Sequence, residues 1–406
     1  MAIPSFFYFL EAKPLYYQEI DHLRVHRAYS VLKGHIAHPK TIHIVGTNGK
    51  GSTGRMIAHL AFERFAEKSE AVSFSVGHYS SPHILKFNER IWLNGGDAED
   101  AVLEKAHRRL YAILGREVSE ALSYFEYSTL LALVVFEQCD LIVLEAGLGG
   151  EYDATNVCDK ALSVITPIGI DHQAFLGDSI REIAETKIKS IQRRALLAPQ
   201  VYPEVIEVAK RIAKEKMAKL VTAGVLKNES SCSASSEAEQ IEIKQLKQIA
   251  KEKGWPGYLV ENAAVSLKAL SLLDIPHRIS GLRGLELFGR FYPITPRIRI
   301  DVGHNPLAAR AIVGALEKET VLIYNSLDDK DYEAVLEILK PKIKRVEIIG
   351  IESQRAATIE GIKEALRSVD MPYGEFDGSV DDKEHYLVFG SFYTVEAFLK
   401  VRLVAE

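Results

Sequence analysis

The stretch Thr41–Leu60, TIHIVGTNGKGSTGRMIAHL, decides the reading of the chain. TIHIV is β-branched and apolar apart from one histidine, as a buried strand is. A run of small residues with one lysine follows, and from Ser52 onward the apolar spacing turns helical. The N-terminus of a helix offers unpaired N–H groups and the positive end of a dipole, so it binds anions. Glycines let a backbone approach a phosphate, a lysine neutralises its outer charge, and a hydroxyl can hold Mg²⁺. GTNGKGST supplies each part: Gly46, Gly49 and Gly51, then Lys50, then Ser52 and Thr53. Lys50 precedes Gly51 instead of following it, so the pattern is G-x-x-G-K-G-S and not the commoner G-x-x-x-x-G-K-[ST]. The other reading is an ordinary glycine-rich turn. A strand before and a helix after supply the context that a phosphate loop requires.

Working outward, strand-like and helical segments alternate. Candidate strands are TIHIV, AVSFSV, DLIVLEA, ALSVIT, RIRIDV, TVLIYN, RVEIIGI and HYLVFG, with helical patterns such as STGRMIAHLAFERFAEK and YSTLLALVVFEQ between them. That alternation predicts an α/β protein with mainly parallel sheets covered on both faces. A chain of 406 residues exceeds one ordinary core, so two domains are expected. The glycine- and proline-rich stretch Gly281–Arg297 is the best boundary. It divides the chain into residues 1–288, which hold the phosphate loop, and a smaller α/β domain at 289–406. The polar stretch Lys227–Gln240 reads as an exposed loop.

Composition excludes several classes. A hydrophobic content of 47% with 26% charged residues describes a soluble globular protein. A net charge of −5 argues against nucleic acid as a partner. No apolar run approaches a membrane span, and Phe6–Leu10 is too short for a signal-peptide core. Cys139, Cys158 and Cys232 show neither metal-type nor disulfide-type spacing. A cytoplasmic protein is expected.

Two further places carry chemistry. CDLIVLEAGLGG is an apolar strand ending in Glu145. Parallel sheets place ligands at the carboxyl ends of their strands, and Mg²⁺ beside phosphates needs oxygen ligands. Asp171 and His172 follow the strand ALSVIT, and a neutral imidazole can ligate a metal. The plain alternatives are an exposed strand-end acid and a loop histidine. Lys187, after an acidic helix start, reads equally as a surface lysine.

At this point the chain resembles the folylpolyglutamate synthase/dihydrofolate synthase family, a branch of the Mur ligase superfamily. The resemblance rests on GTNGKGST, SVGHYSSPHILKFNERIWLNG, SYFEYSTLLAL, VLEAGLGGEYDATNV, GIDHQAFLGDSIREIAETK, GRFYPITPRIRIDVGHNPLAARA, SLDDKDY and FGSFYTVEAF, in that order and nearly end to end. It implies a larger ATP-binding domain and a smaller, Rossmann-like C-terminal domain that closes over the nucleotide. Gly49, Lys50, Gly51 and Ser52 would bind ATP phosphates. Ser81, Glu145 and His172 would hold Mg²⁺ together with the loop hydroxyl of Ser52. Asn262, Arg290, Asp301 and His304 would be nucleotide contacts. Lys187 matches a lysine that the family carbamylates. Here the context is TKIKSI where the family reads E-K-A-G-I, with Thr186 replacing the glutamate and Lys189 a nearby competitor. DVGHNP replaces the commoner DVAHNP, a change expected to matter little. Ser123, Tyr124, Phe125 and Glu126, with Tyr152, Asp153 and Ala154, match segments that bind dihydropteroate. Their other reading is core packing at the start of an apolar helix.

The implied activity is ATP-dependent amide ligation. L-Glutamate would be joined to dihydropteroate, to folyl(poly)glutamates, or to both, through an acyl phosphate. Lys50, Lys187 and His172 are the expected catalytic residues, ATP and Mg²⁺ the cofactors, and a monomer the expected state. Asp171 or His172 could take the proton of the glutamate amine. An ATP site drawing on Lys50, Arg290, Asp301 and His304 is expected between the domains. Two other readings compete. A Mur-type peptidoglycan ligase would carry an additional UDP-binding domain, for which the 45 residues before Gly46 are too few. A nucleotide-dependent switch protein would hydrolyse ATP without forming an amide.

Overall fold

The computed structural model describes residues 3–14, 21–66, 74–224, 237–317 and 319–405. The chain packs into two units. The first comprises Met1–Ile168, Ile180–Val225 and Ala263–Leu282, and the second Gly169–Ser179, Leu226–Asn262 and Arg283–Glu406. Packing therefore differs from a single cut after residue 288. The long C-terminal stretch begins at Arg283, and two earlier segments join it. One of the crossings falls inside the helix Gly257–Leu272. Tyr258 at its start packs against the second unit's core, while Ser266 donates to the carbonyl of Thr53 at 3.2 Å. Composition does not mark such a boundary, because the helix is continuous.

The first unit is built on an eight-stranded sheet. Its strands are β1 (Lys40–Val45), β2 (Val76–Tyr79), β3 (Ile91–Leu93), β4 (Gly96–Asp97), β5 (Leu141–Glu145), β6 (Leu162–Ile165), β7 (Arg194–Leu197) and β8 (Lys219–Thr222). They lie in the order β4-β3-β2-β5-β1-β6-β7-β8. All neighbours are parallel except β2–β3 and β3–β4. Every residue of β5 and β6 is buried, the pattern of strands covered on both faces. The helix Tyr124–Val135 is apolar almost all round and lies in the core with Ile142 and Leu144. The strand expected at AVSFSV starts later, at Val76. Residues 71–73 lie outside the described ones, and Phe74 and Ser75 are not in a strand. Lys227–Gln240 lies outside them too, up to residue 236, and from Glu237 the chain is helical.

β1 sits between β5 and β6 but connects onward to β2, on the far side of β5. The strand order thus reverses around β1, and at such a point the loops leaving adjacent carboxyl ends part to leave a crevice. Register brings those ends level: Ile44 lies opposite Glu145, and Val45 opposite Ile165.

The second unit carries a six-stranded sheet of β9 (Tyr292–Pro293), β10 (Ile298–Ile300), β11 (Thr320–Tyr324), β12 (Ile343–Ile348), β13 (Tyr373–Glu375) and β14 (Tyr386–Phe389). The order is β13-β12-β11-β14-β10-β9, parallel except for β9 against β10. Leu322, Tyr324, Leu387 and Phe389 anchor its core. The α/β class expected from the sequence is the class observed. No helix among the described residues is long and apolar enough to cross a membrane.

Candidate active site

The loop Gly46–Gly49 leaves β1 and feeds the helix Lys50–Ala66. Gly46 has φ +152° and Gly49 φ +81°. A Cβ at Gly46 would strike the Thr166 hydroxyl, so glycine is required there by space as well as by conformation. The amides of Thr47 and Asn48 both donate to the Pro167 carbonyl, at 2.9 and 3.1 Å, which ties the loop to the end of β6. Gly51 and Ser52 lie in the first turn of the helix, at the positive end of its dipole, and the Thr53 amide closes that turn by donating to the Gly49 carbonyl at 2.9 Å. The buried Ser52 hydroxyl donates to the Gly49 carbonyl at 3.2 Å.

Two other first-unit residues, Glu145 and Lys187, converge on this loop and on the lysine that follows it. Glu145 ends β5, is 4% exposed, and faces the Lys50 ammonium at 3.9 Å. Lys50 also donates to the Thr47 carbonyl at 3.3 Å, within its own loop. Lys187, in the last turn of the helix Ile180–Ile188, is buried and donates to the Gly46 carbonyl at 3.1 Å. Its own backbone lies so close to Gly150 that a side chain there would meet the Lys187 carbonyl. Lys189 is different: it is half-exposed and pairs with Glu151 at 3.6 Å. Burial therefore separates the two lysines that the unusual TKIKSI context left in competition. Ser81 follows β2, whose Tyr79 lies opposite Leu144, so it leaves the same edge of the sheet as Glu145.

The donor chemistry fits a hard cation: a buried carboxylate at a strand end, with hydroxyls at Ser52 and Ser81, is the oxygen set that Mg²⁺ prefers. Among the described residues no group of three or more His, Cys, Asp or Glu side chains clusters as a metal site. Of the expected ligands, Ser52, Ser81 and Glu145 belong to the first unit and His172 to the second.

In the second unit His172 has a left-handed backbone, φ +54°, at the start of the short helix Gln173–Leu176. Beside it, buried Asp171 accepts from Lys330 at 2.6 Å and from the Asn305 amide at 3.1 Å, with His304 Nε2 at 3.4 Å. Burial alone would raise this carboxyl, but His304, His172 and Lys330 hold it well below the usual carboxylate range. Lys330, Asn305 and His304 thus fix the position of Asp171 within the second unit. Asp301 is likewise buried. It accepts from the Tyr258 hydroxyl at 2.8 Å and from the amides of Phe291 and Gly303 at 2.9 and 2.8 Å. Gly303 is less neutral than expected: a Cβ there would lie 2.5 Å from the Phe389 ring. Arg290 is half-buried, donates to the Gly289 carbonyl at 3.1 Å and lies 5.3 Å from the Phe392 ring centroid. Asn262 is buried in the helix Gly257–Leu272.

The segments matched to dihydropteroate binding divide by role. Ser123 caps the helix Tyr124–Val135, accepting from the Glu126 amide at 3.2 Å, while Glu126 accepts from the Ser123 amide at 2.8 Å. Glu126 also pairs with Arg24 at 2.9 Å. These two polar groups are committed to the fold, a signal that S-x-x-E before an apolar run already carried. Asp153 is buried too. It accepts from Thr155 and from the Leu148 amide, and the Thr155 hydroxyl meets His43 Nε2 at 2.8 Å. That chain fixes the loop between β5 and Ala154, which is itself buried. The aromatic members differ: Tyr124 and Phe125 are half-buried and pack against the first unit's core, and Tyr152 is 53% exposed, its ring tilted 34° at 4.3 Å from that of His22. Sequence reasoning missed Lys330 and Tyr258 as partners of Asp171 and Asp301. Lys330 lay within a recognised segment, SLDDKDY, without being singled out.

No family model matches the chain. The dihydrofolate synthase/folylpolyglutamate synthase of Haemophilus influenzae is 31% identical, over 89% of this chain and 89% of that protein. The crystal structure of Helicobacter pylori folylpolyglutamate synthetase is 38% identical, covers 98% of this chain and 97% of its own, and superposes with a TM-score of 0.75. A bifunctional folylpolyglutamate synthase/dihydrofolate synthase, solved with Mn, AMPPNP and L-glutamate bound, is 26% identical over 98% of this chain and 97% of its own, with a TM-score of 0.79.

Proposed function

Because the chain belongs to the dihydrofolate synthase/folylpolyglutamate synthase family, we propose that the loop Gly46–Ser52 holds ATP for the phosphorylation of a folate-type carboxylate and its ligation to L-glutamate. The protein is an ATP-dependent carboxylate–amine ligase of folate metabolism. The observation that carries the residue assignments is the convergence of Lys50, buried Glu145 and buried Lys187 on one glycine loop.

A carboxylate and an ammonium do not condense in water, because oxide is a poor leaving group and the protonated amine is no nucleophile. Transfer of the γ-phosphoryl group to the acyl substrate's carboxylate gives a mixed anhydride, from which phosphate can leave. Lys50 and the first-turn amides of the helix Lys50–Ala66 would offset charge on the phosphoryl oxygens. Glu145, Ser81 and Ser52, with His172, would hold Mg²⁺, which screens phosphate charge when bound. Lys187 carries the carbamate in this reading. Arg290, Asp301, His304 and Asn262 are the second unit's contributions to nucleotide binding. Of these, Arg290 offers an always-charged planar donor set, and Asp301 is held in place by Tyr258. Tyr124, Phe125 and Tyr152 present aromatic surface to a pterin, while Ser123, Glu126 and Asp153 shape the segments that carry them. Buried free thiols at Cys139 and Cys158 suit a reducing compartment, the cytoplasm.

The test is purified protein with ATP, Mg²⁺ and labelled glutamate, with dihydropteroate and tetrahydrofolate compared as acceptors. Amide formation with at least one acceptor, matched by ADP release, is the expected result. ATP hydrolysis with no amide from either acceptor would favour a switch protein and remove the ligase reading.

A further inference from the structure

Arg90 ends the short helical turn Phe87–Arg90 and leads into β3. Its carbonyl accepts from the Ser80 amide at 2.9 Å, next to Ser81, so it stands beside the carboxyl end of β2. The side chain is buried, 8% exposed. Nε donates to His83 Nδ1 at 2.8 Å. The guanidinium carbon lies 5.2 Å from the Tyr124 ring centroid and 6.0 Å from that of Phe87. Among the described residues no carboxylate lies within 4.0 Å of this guanidinium, and neither terminal nitrogen has a hydrogen-bond acceptor.

Two aromatic faces and one neutral imidazole flank this cation, and its two terminal nitrogens are left open to solvent, where a ligand can meet them. His83 accepts on Nδ1, and burial together with the Arg90 charge pushes its imidazole down to about 4, so it stays neutral and supplies no counter-charge. The open edge of a guanidinium is a planar two-donor fork, and the group that matches it is a carboxylate. Tyr124 beside it supplies an aromatic face. An aromatic or aryl-linked carboxylate fits both features.

Resting on the ligase reading above, we infer that Arg90 is a substrate-binding residue that receives a carboxylate of the acyl substrate through its two terminal nitrogens. Free glutamate lacks the aromatic part that the Tyr124 side would cover, and ATP phosphates belong to the loop at Lys50. Arg90 thereby selects acids over the corresponding carboxylate-free pterins.

The test compares the parent with Arg90→Met, which keeps the apolar stem, and Arg90→Lys, which keeps the charge but loses the fork. Steady-state KM values are measured for dihydropteroate, tetrahydrofolate, ATP and glutamate, together with equilibrium binding of dihydropteroate and of 6-methyldihydropterin. Arg90→Met should raise KM and Kd for the two acids by roughly 10- to 100-fold. It should leave KM for ATP within about twofold and binding of 6-methyldihydropterin unchanged, because only a carboxylate contact has been removed. Arg90→Lys should fall between the two. Unchanged KM values for the acids, an equal loss for acid and carboxylate-free pterin, or a rise confined to glutamate would each overturn the assignment. If Arg90→Met melts out, the same comparison in Arg90→Lys decides. Failure of the parent itself to form amide with either acceptor would overturn the ligase reading, a result distinct from normal ligation with indifferent variants.

Discussion

Lys50→Ala is expected to lower ATP-dependent amide synthesis by about a thousandfold or more, since one preorganised charge at a transferring phosphoryl group supplies several kcal/mol. The fold should survive. Lys50 sits at a loop–helix junction, and its structural contacts are one carbonyl in its own loop and Glu145 at the long distance of 3.9 Å. Glu145 is the more deeply buried partner, so removing the lysine takes one cation away from a buried carboxylate. A stability loss below about 2 kcal/mol is expected in metal-free buffer, with recovery on adding Mg²⁺. Turnover and a thermal melt with and without Mg²⁺ check both halves. Near-parental turnover in the variant would remove the phosphate-loop assignment.

The second large effect concerns Lys187. Carbamylation needs the neutral amine: the nitrogen lone pair attacks CO₂, a C–N bond forms, and the proton lost from nitrogen goes to solvent, leaving a carbamate anion. A cation bound at Glu145 would repel a nearby ammonium and attract that anion. Lys187→Ala should therefore lose roughly a hundredfold or more in turnover, and formate or acetate should restore part of it by supplying the missing carboxylate. Lys189→Ala should stay close to the parent, because its side chain lies half-exposed against Glu151. Crystals grown with nucleotide and metal give the direct reading in electron density. An unmodified Lys187 ammonium in that state, or no rescue by small carboxylates, would sink the carbamate.

Local chemistry made much of the first unit legible. Strand, glycine loop and helix at Thr41–Leu60 announce themselves because β-branched residues, glycines and helical spacing follow one another within twenty positions. The strand-end acid Glu145 was legible for the same reason. Ser81 was not, because a serine before proline reads as any turn until β2 is known to run beside β5. The division at residues 168, 179, 225 and 262 was hidden because it depends on which core each segment packs against. Ser123 and Glu126 show the converse difficulty. Their spacing is a helix-capping signature, and the structure uses both side chains for that purpose. Arg90 was invisible for a third reason: a buried cation lacking a counterion is a property of three-dimensional neighbours, and an arginine in FNER carries no such mark.

The way the chain passes back and forth between its two units bears on how the protein can be taken apart. A fragment starting at Arg283 would contain the whole six-stranded sheet, yet it would lack Asp171 and Tyr258. Lys330, whose side chain is 3% exposed in the intact chain, would lose the Asp171 carboxylate and keep Asp329 at 3.3 Å. Asp301 would lose the Tyr258 hydroxyl. Breaking a buried pair by removing one member costs about 3–5 kcal/mol, a large share of the stability of a domain this small. The C-terminal piece is thus not a module that evolution or a protein engineer could move intact to another chain. A transplant would have to bring residues 169–179 and 226–262 with it, inserted where they can reach the same partners.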